Sequence, residues 1–539
     1  MSYLSNKTPL MQHTFIIYIS LILIILFLVM LAEKLKVAYP IILVLGGLLL
    51  SFFDGTRFIS INPDLIFIIF LPPLLYEAAW GISWKNLWRW RRVVLSFAFL
   101  IVLVTSLVVA LVSSWLIPGF TLALGFLLGG IVSPPDAVSA GSVMKYVKIS
   151  RGMTAIIEGE SLLNDASSLI VFRFALIAVD TGRFVFHEAA LSFVLVIIMG
   201  VAIGLAVALV YYAIHRWLPT TTNMDIVLSL TAPYVMYIAA ESFHFSGVLS
   251  VVAGGLFLSA KSHLFLSQRS RLRGGNVWST LGFVLNGLVF MLIGLQLPHI
   301  VDQLGDVRLS QAIGYGLLIT GVLVVGRLLS TLGASVFTVW VSKYITTADN
   351  RPGWRNPIIF GWAGMRGVVS LAAALSIPIY LQDGTPFPQR NLILFITFTV
   401  ILLTLVVQGL TLPLVIKWVH GGESRDLFLP HRDQEILLRK KLALYSLQFL
   451  DDEHKPEVES NRYLQQLRER FANDQLSLND SSGVGHEDYR RVYLNLLERQ
   501  RDVLHKLNKK NELDDEVIRK YLTMLDLEEE KLRMKFEEA

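Results

Sequence analysis

The 539-residue sequence contains no cysteine, and that absence removes whole classes of chemistry. Disulfides, thiolate nucleophiles and zinc–thiolate sites cannot be built, although the redox compartment stays open. Charge is scarce: 17% of the residues are Asp, Glu, Lys or Arg, where a soluble domain carries about 25%. No His-Glu-x-x-His zinc motif occurs, and Gly-x-Ser-x-Gly is missing from the apolar runs, which argues against an intramembrane hydrolase. A filter-like repeat of carbonyls or a ring of charges, which a cation channel needs, is also lacking.

What fills the chain is hydrophobic, at 54% of residues and a mean hydropathy of +0.58. A spanning helix needs about 20 mostly apolar residues, and such runs recur to about residue 419. The pattern predicts an all-α polytopic membrane protein with thirteen candidate spans: 13–32, 37–53, 63–80, 93–117, 120–145, 151–179, 187–217, 223–242, 244–260, 276–298, 309–345, 356–380 and 390–419. The first run, from His13 to Leu31, exceeds a signal-peptide core, and Glu33-Lys34-Leu35-Lys36 follow it instead of a small-residue cleavage site. It reads as a retained helix.

The net charge of +5 is unevenly spread. Residues 1–420 hold 26 Lys+Arg and 16 Asp+Glu, a net of +10, and residues 421–539 hold 21 and 26, a net of −5. The basic balance therefore belongs to the membrane part and implies no nucleic acid; loop cations that orient helices account for it. With the N-terminus outside and strict alternation, the inner loops collect Lys34, Lys36, Lys85, Arg89, Arg91, Arg92, Lys145, Lys148, Arg151, Arg216, Lys261, Arg269, Arg271, Arg273, Lys343, Arg351 and Arg355, which is 17 cations. The outer segments collect Lys7, Arg57, Arg183, Arg308 and Arg390, which is 5. This places the C-terminus in the cytoplasm of a multi-pass protein of the cell membrane. The stretch WKNLWRWRR, residues 84–92, has the indoles and cations of an interfacial belt in contact with lipid.

After His420-Gly421-Gly422 the character changes. Residues 431–450 and 485–535 combine helical periodicity with dense charge, and Asn479–Gly485 is a Ser/Gly-rich break. The expected organisation is a transmembrane domain over 1–420 and a cytoplasmic helical tail over 421–539. The tail has two readings, a solvated bundle or dimer contact, and a regulatory segment with an unknown binding partner.

Ionisable groups at bilayer depth are expensive and mark candidate sites. In Ser133-Pro134-Pro135-Asp136, two prolines remove amide donors and disfavour helix before them. The helix should break there, leaving carbonyls such as that of Pro135 free for a cation and Asp136 at the positive end of a second half-helix. A kink with Asp136 as a plain N-cap is the alternative. In Glu160-Ser161-Leu162-Leu163-Asn164-Asp165, Ser161 and Asp165 share a helix face and Glu160 and Asn164 the next one. Oxygen donors of this kind suit a hard cation such as Na⁺ at Asp165 and Ser161, and desolvation opposed by a cation lets such a carboxylate exchange metal for proton. A polar network joining helices is the other reading. In Gly361–Gly367 three glycines weaken the helix around Arg366. Its permanent charge requires a carboxylate, for which Glu160 is the expected structural partner. The interrupted spans 5 and 12 sit in corresponding places of spans 4–6 and 11–13, the pattern of an inverted repeat, although no residue-level identity links the halves.

Lesser candidates have plainer readings. Glu77 in Leu71-Pro72-Pro73-Leu74-Leu75-Tyr76-Glu77 is an interfacial acid or a vestibule ligand, and Glu158 faces an entrance. Arg173 and Arg327 are expected to find internal partners, and His187, His215, His244 and His263 to be ordinary interfacial histidines.

Together, GESLLND (Gly159–Asp165), AGMRGVVSLA around Gly364 and Arg366, LPPLLYEAA and SPPDAVSA resemble the sodium/proton exchanger branch of the cation–proton antiporter superfamily, bacterial NhaP-type, over about 13–419. The resemblance implies a thirteen-helix inverted-repeat fold with crossing broken helices, and homodimers of core and dimerisation domains working by an elevator-like motion. It implies a transporter, not an enzyme, with no cofactor beyond the transported Na⁺ and H⁺ and a role in pH homeostasis. Asp165 would bind ion and proton, Asn164 would be its hydrogen-bonded neighbour, Ser161 a cation ligand, Asp136 part of the crossing, Glu160 the partner of Arg366, and Glu77 an assisting acid. The Asn-Asp pair is similar to that of the electroneutral exchangers. One departure stands out: Pro135 replaces the Thr that often precedes the crossing aspartate. A hydroxyl ligand is thereby lost, and K⁺/H⁺ or broad monovalent-cation exchange stays open beside Na⁺/H⁺.

Overall fold

The computed structural model describes residues 7–52, 68–145, 147, 149–182, 186–305, 307–341, 353–420, 431–477, 484–508 and 515–536. Among them the regular elements are helices, with one isolated bridge between Tyr380 and Pro386. The expected domain boundary at 420/421, the start of the third span at 63–67, most of the break at 479–485, and Arg57, Lys148, Arg183, Lys343 and Arg351 from the charge count lie outside the described residues. Two compact units form, Met1–Ser424 and Arg425–Ala539.

In the first unit the helices run α1 Lys7–Leu35, α2 Tyr39–Leu50, α3 Leu71–Gly81, α4 Trp84–Leu116, α5 Leu122–Val132, α6 Ala137–Met144, α7 Arg151–Thr181, α8 Phe186–Trp217, α9 Thr222–Ser242, α10 Gly247–Phe265, α11 Gln268–Leu295, α12 Leu297–Asp302, α13 Leu309–Val341, α14 Arg355–Trp362, α15 Val368–Leu375 and α16 Arg390–Val419. Among the described residues eight segments have the length and apolarity of a membrane span: α4, α5 with α6, α7, α8, α10, α11 with α12, α13 and α16. α2 is apolar but shorter.

Local sequence explains the starts and stops. Thr121, Ser150, Ser246 and Ser267 each accept a hydrogen bond from the amide three residues on, at 3.1–3.3 Å. Such caps contribute about 1 kcal/mol each. α5 ends at Val132 before the two prolines, and α14 ends at Trp362 before the glycine-rich stretch. α4 starts nine residues before the fourth expected span. Ser83 caps it and no breaker lies in Trp84–Leu95, so the belt segment is the first part of the same helix.

Two hydrophobic clusters form the interior of this unit. One gathers residues of α2, α5, α11 and α14 to α16, the other residues of α3 and α8 to α10. α7 belongs to both, giving Ile156 and Phe172 to the first and Leu162 and Ala166 to the second. Residues 160–165 therefore sit where the clusters adjoin. α2 and α11 approach at backbone distance, since a Cβ on Gly47 or Gly294 would overlap the facing main chain.

In the second unit α17 His431–Asp452, α18 Lys455–Ser460 and α19 Arg462–Ser477 pack together, and α20 Val484–Asn508 pairs with α21 Asp515–Phe536. Arg468 holds Asp451 with two bonds of 2.6 and 3.0 Å, and Arg501 bridges Asp526 and Glu529 at 2.9 and 2.6 Å. Such exposed pairs contribute roughly 0–1 kcal/mol, so apolar packing holds these helices.

Candidate ion-binding site

The two interruptions meet. The Asp136 amide donates to the Met365 carbonyl at 2.7 Å, joining the break between α5 and α6 to the break between α14 and α15. Asp136 caps α6: its Oδ1 accepts from the Val138 amide at 3.0 Å, and its Oδ2 accepts from the Ser139 amide at 3.4 Å and hydroxyl at 2.5 Å. Its charge is thus engaged by the N-terminal end of a helix. Gly367 makes the meeting possible, because a Cβ there would overlap the Asp136 carboxylate. Gly367→Ala is expected to cost about 1–3 kcal/mol through overpacking and to lower the melting temperature in detergent. Unchanged melting at wild-type yield would contradict the close approach.

α7 supplies the rest. Ser161 Oγ accepts from the Ala137 amide at 3.0 Å, and Asn164 Nδ2 donates to the Pro135 carbonyl at 3.1 Å. Both bonds tie α7 to the proline break, so Ser161, Asn164, Asp165, Pro135 and Asp136 come together. Asn164 Oδ1 is buried without a hydrogen-bond partner among the described residues. Asp165 is 8% exposed. Its main-chain carbonyl accepts from Ser168 Oγ, and its carboxylate has no hydrogen-bond donor among the described residues. Asp136 lies within electrostatic range of it. A buried carboxylate without a donor, beside an unpaired amide oxygen, has free lone pairs for a cation or a proton.

The ion pair beside this site differs from the expected one. Glu160, 1% exposed, is held by Arg327 of α13 and not by Arg366. Arg327 Nη1 donates to Oε1 at 2.8 Å and Nη2 to Oε2 at 2.9 Å, while Nε donates to the Phe360 carbonyl at 3.3 Å. The reason is steric as well as electrostatic: Gly364 leaves the room that the Arg327 side chain occupies. Such a two-pronged match of guanidinium to carboxylate is the strongest geometry open to the pair. Arg366 is buried too, with its amide donating to Thr404 Oγ1 at 3.1 Å. Its Nε and Nη1 have no hydrogen-bond partner among the described residues, and its charge lies within range of both Glu160 and Arg327.

The remaining candidates sort themselves. Glu77 is half-buried on α3, pressed against Gly282 of α11, where a Cβ would overlap its carboxylate. Tyr39 lies within electrostatic range of both Glu77 and Asp136. Glu158 is exposed. Arg173 pairs with Glu241, which also accepts from the Gly247 amide at 3.0 Å. His215 is not an interfacial histidine: it is buried, 2.9 Å from Asp225, whose second oxygen accepts from Ser270 Oγ at 2.7 Å. Sequence reasoning passed over Asp225, although an acid inside an apolar span was signal enough. Among the described residues no cluster of three or more His, Cys, Asp or Glu exists that could hold a resident metal.

Comparison with known proteins agrees with this architecture. The sequence profile of the family described as sodium/hydrogen exchanger, transmembrane, matches residues 20–418. The chain is 35% identical over 388 residues to a sodium, potassium, lithium and rubidium/H⁺ antiporter of Bacillus subtilis, covering 70% of this chain and 57% of that protein. It therefore spans little more than half the length of that relative. It is 34% identical over 441 residues to the low-affinity Na⁺/H⁺ antiporter NhaS1 of Synechocystis, covering 80% of this chain and 79% of the other. The fold is similar to that of the sodium proton antiporter MjNhaP1 from Methanocaldococcus jannaschii, with a TM-score of 0.58, 19% identity, and coverage of 76% of this chain and 99% of that one. With eight apolar helices among the described residues and this match over most of its length, the chain is a multi-pass membrane protein and belongs to the transmembrane sodium/hydrogen exchanger family.

Proposed function

We propose that the chain exchanges Na⁺ for H⁺, with the two ions competing for the Asp165 carboxylate. The observation that carries this reading is a buried carboxylate with no protein donor at the meeting of two broken helices. Its neighbours at the proline break carry further oxygens, Asn164 Oδ1, the Pro135 carbonyl and Ser161 Oγ, of the kind that suits a hard cation. Asp136 contributes field, its own oxygens being engaged at the start of α6. Glu77 serves as a carboxylate on the approach.

The exchange is one for one. Asn164 is neutral and Glu160 is neutralised by Arg327, so the stretch 160–165 offers one free charge, that of Asp165, which one Na⁺ or one H⁺ satisfies. Transport is then electroneutral. In vesicles clamped at different membrane potentials, the rate should not change; a current scaling with turnover would reject the stoichiometry.

The relatives' names support cation/proton exchange and differ on the cation. A K⁺/H⁺ or broad monovalent-cation exchanger is the second reading, favoured by the name of the Bacillus relative and by Pro135, which offers no hydroxyl. A pH-gradient dye assay in proteoliposomes separates the two. Na⁺ is expected to dissipate the gradient fastest. An equal response to K⁺ favours the broad reading, and no response to Na⁺, K⁺ or Li⁺ overturns both.

The distribution of Lys and Arg supports an outside N-terminus and a cytoplasmic C-terminus. A homodimer with an elevator-like core, and a tail at 421–539 that binds a regulator, complete the proposal.

A further inference from the structure

α4 is longer than a bilayer requires. Its 33 residues rise about 50 Å, against about 30 Å of hydrocarbon. About thirteen residues must therefore lie beyond the acyl chains. Composition says which: Trp84–Leu95 holds Lys85, Arg89, Arg91 and Arg92 and no acid, while Val102–Leu116 holds no charge.

The excess segment has three sectors. Leu87 and Val94 are buried against the glycine at position 159 of α7, and the half-buried Trp90 lies against Gly152. Trp84, Trp88 and Leu95 form an exposed apolar sector, separated by four and seven residues. Lys85, Arg89 and Arg92, again separated by four and three residues, form an exposed basic row beside it. The indoles are ordered by their neighbours. Trp84 and Trp88 stack at 5.9 Å, and the Arg91 guanidinium lies 4.6 Å from the Trp88 ring centre while donating to the Trp88 carbonyl at 2.6 Å. On the facing helix α7, Glu158 is the exposed acid of the part that packs against this segment.

We propose that this segment is a binding site for anionic phospholipid, with the Lys85–Arg89–Arg92 row taking the headgroup phosphate and the Trp84–Trp88 pair seated at the acyl boundary. Charge complementarity selects the occupant. An apolar sector alone would seat any lipid, but a basic row at headgroup depth favours an anionic leaflet by about 1 kcal/mol per cation. Indoles belong at that same depth. The segment also continues into the turn where the Ala98 carbonyl accepts from Ser167 Oγ at 2.5 Å, on the helix that carries Asp165. The proposal concerns binding, and it does not depend on which ions are exchanged.

The test is lipid retention. Full-length protein in detergent is incubated with equal amounts of phosphatidylcholine and phosphatidylglycerol, re-isolated, and its bound lipid counted. The wild type is expected to retain phosphatidylglycerol over phosphatidylcholine by about fivefold or more. K85Q/R89Q/R92Q should fall close to the input ratio, and K85R/R89K/R92K should keep the preference. Equal retention by the wild type and the glutamine variant overturns the proposal, as does loss of the bound lipid to an excess of inorganic phosphate, which would mark a free-phosphate site. Should the glutamine variant fail to fold, brominated lipids give a second reading in intact vesicles. The fluorescence difference between wild type and W84F/W88F should be quenched more by brominated phosphatidylglycerol than by brominated phosphatidylcholine; equal quenching overturns the proposal.

Discussion

Asp165→Asn is expected to reduce cation-dependent proton movement in proteoliposomes to the level of protein-free vesicles. The substitution keeps the shape of the side chain and removes its charge and its titrating proton. The Asp165 carboxylate accepts no hydrogen bond among the described residues, so its loss leaves the helix contacts of Ser161 and Asn164 intact. The variant should therefore fold, elute as the wild type does and melt no lower. Burying an amide in place of a carboxylate relieves desolvation, so a slightly higher melting temperature is the expected direction. Exchange at the wild-type rate would remove Asp165 from the centre of the account.

The second large effect falls on stability. Arg327→Ala is expected to lower folded yield sharply, because it leaves Glu160 buried without its hydrogen-bonded cation. Removing one partner of a buried pair costs about 3–5 kcal/mol, a large share of the roughly 5–15 kcal/mol that keeps a protein folded. Arg366→Ala is expected to cost less, since both Glu160 oxygens are held by Arg327 and the guanidinium of Arg366 makes no hydrogen bond to them. Glu160→Gln combined with Arg327→Gln should recover part of the loss, as coupled partners do. Equal destabilisation by Arg327→Ala and Arg366→Ala, measured as melting temperature in one detergent, would count against the bidentate pair.

These two residues also mark how far the sequence could be read. Proline and glycine act locally, so Ser133-Pro134-Pro135 and Gly361–Gly367 announced the two breaks, and helical spacing put Ser161 and Asp165 on one face. Choosing between two buried arginines for Glu160 is a different problem. Arg327 and Arg366 both need a carboxylate, and the room left by Gly364 that admits Arg327 is a property of three packed helices. His215 and Asp225 were hidden for a similar reason: a histidine near a span end is ordinarily wet, and the packing of α8 to α11 buries it. α4 starts ahead of the expected span because hydropathy marks where lipid begins, whereas a helix begins at its cap.

Pro135 keeps its importance after the structure. Its carbonyl is half used, accepting from Asn164 and leaving a second lone pair. Replacing a hydroxyl-bearing residue by proline removes one ligand from the ring of oxygens and leaves the carbonyl in place, which bears on which cation fits and leaves the competition at Asp165 unaltered.

That competition is the central claim, and proton release measures it most directly. Na⁺ is added to the purified protein in weakly buffered detergent solution containing a pH indicator, beside Asp165→Asn. Na⁺ is expected to displace close to one proton per chain from the wild type at pH values where Asp165 is protonated, and none from the variant. Equal release from both, or exchange in vesicles without any release on binding, would contradict a single carboxylate shared in turn by cation and proton.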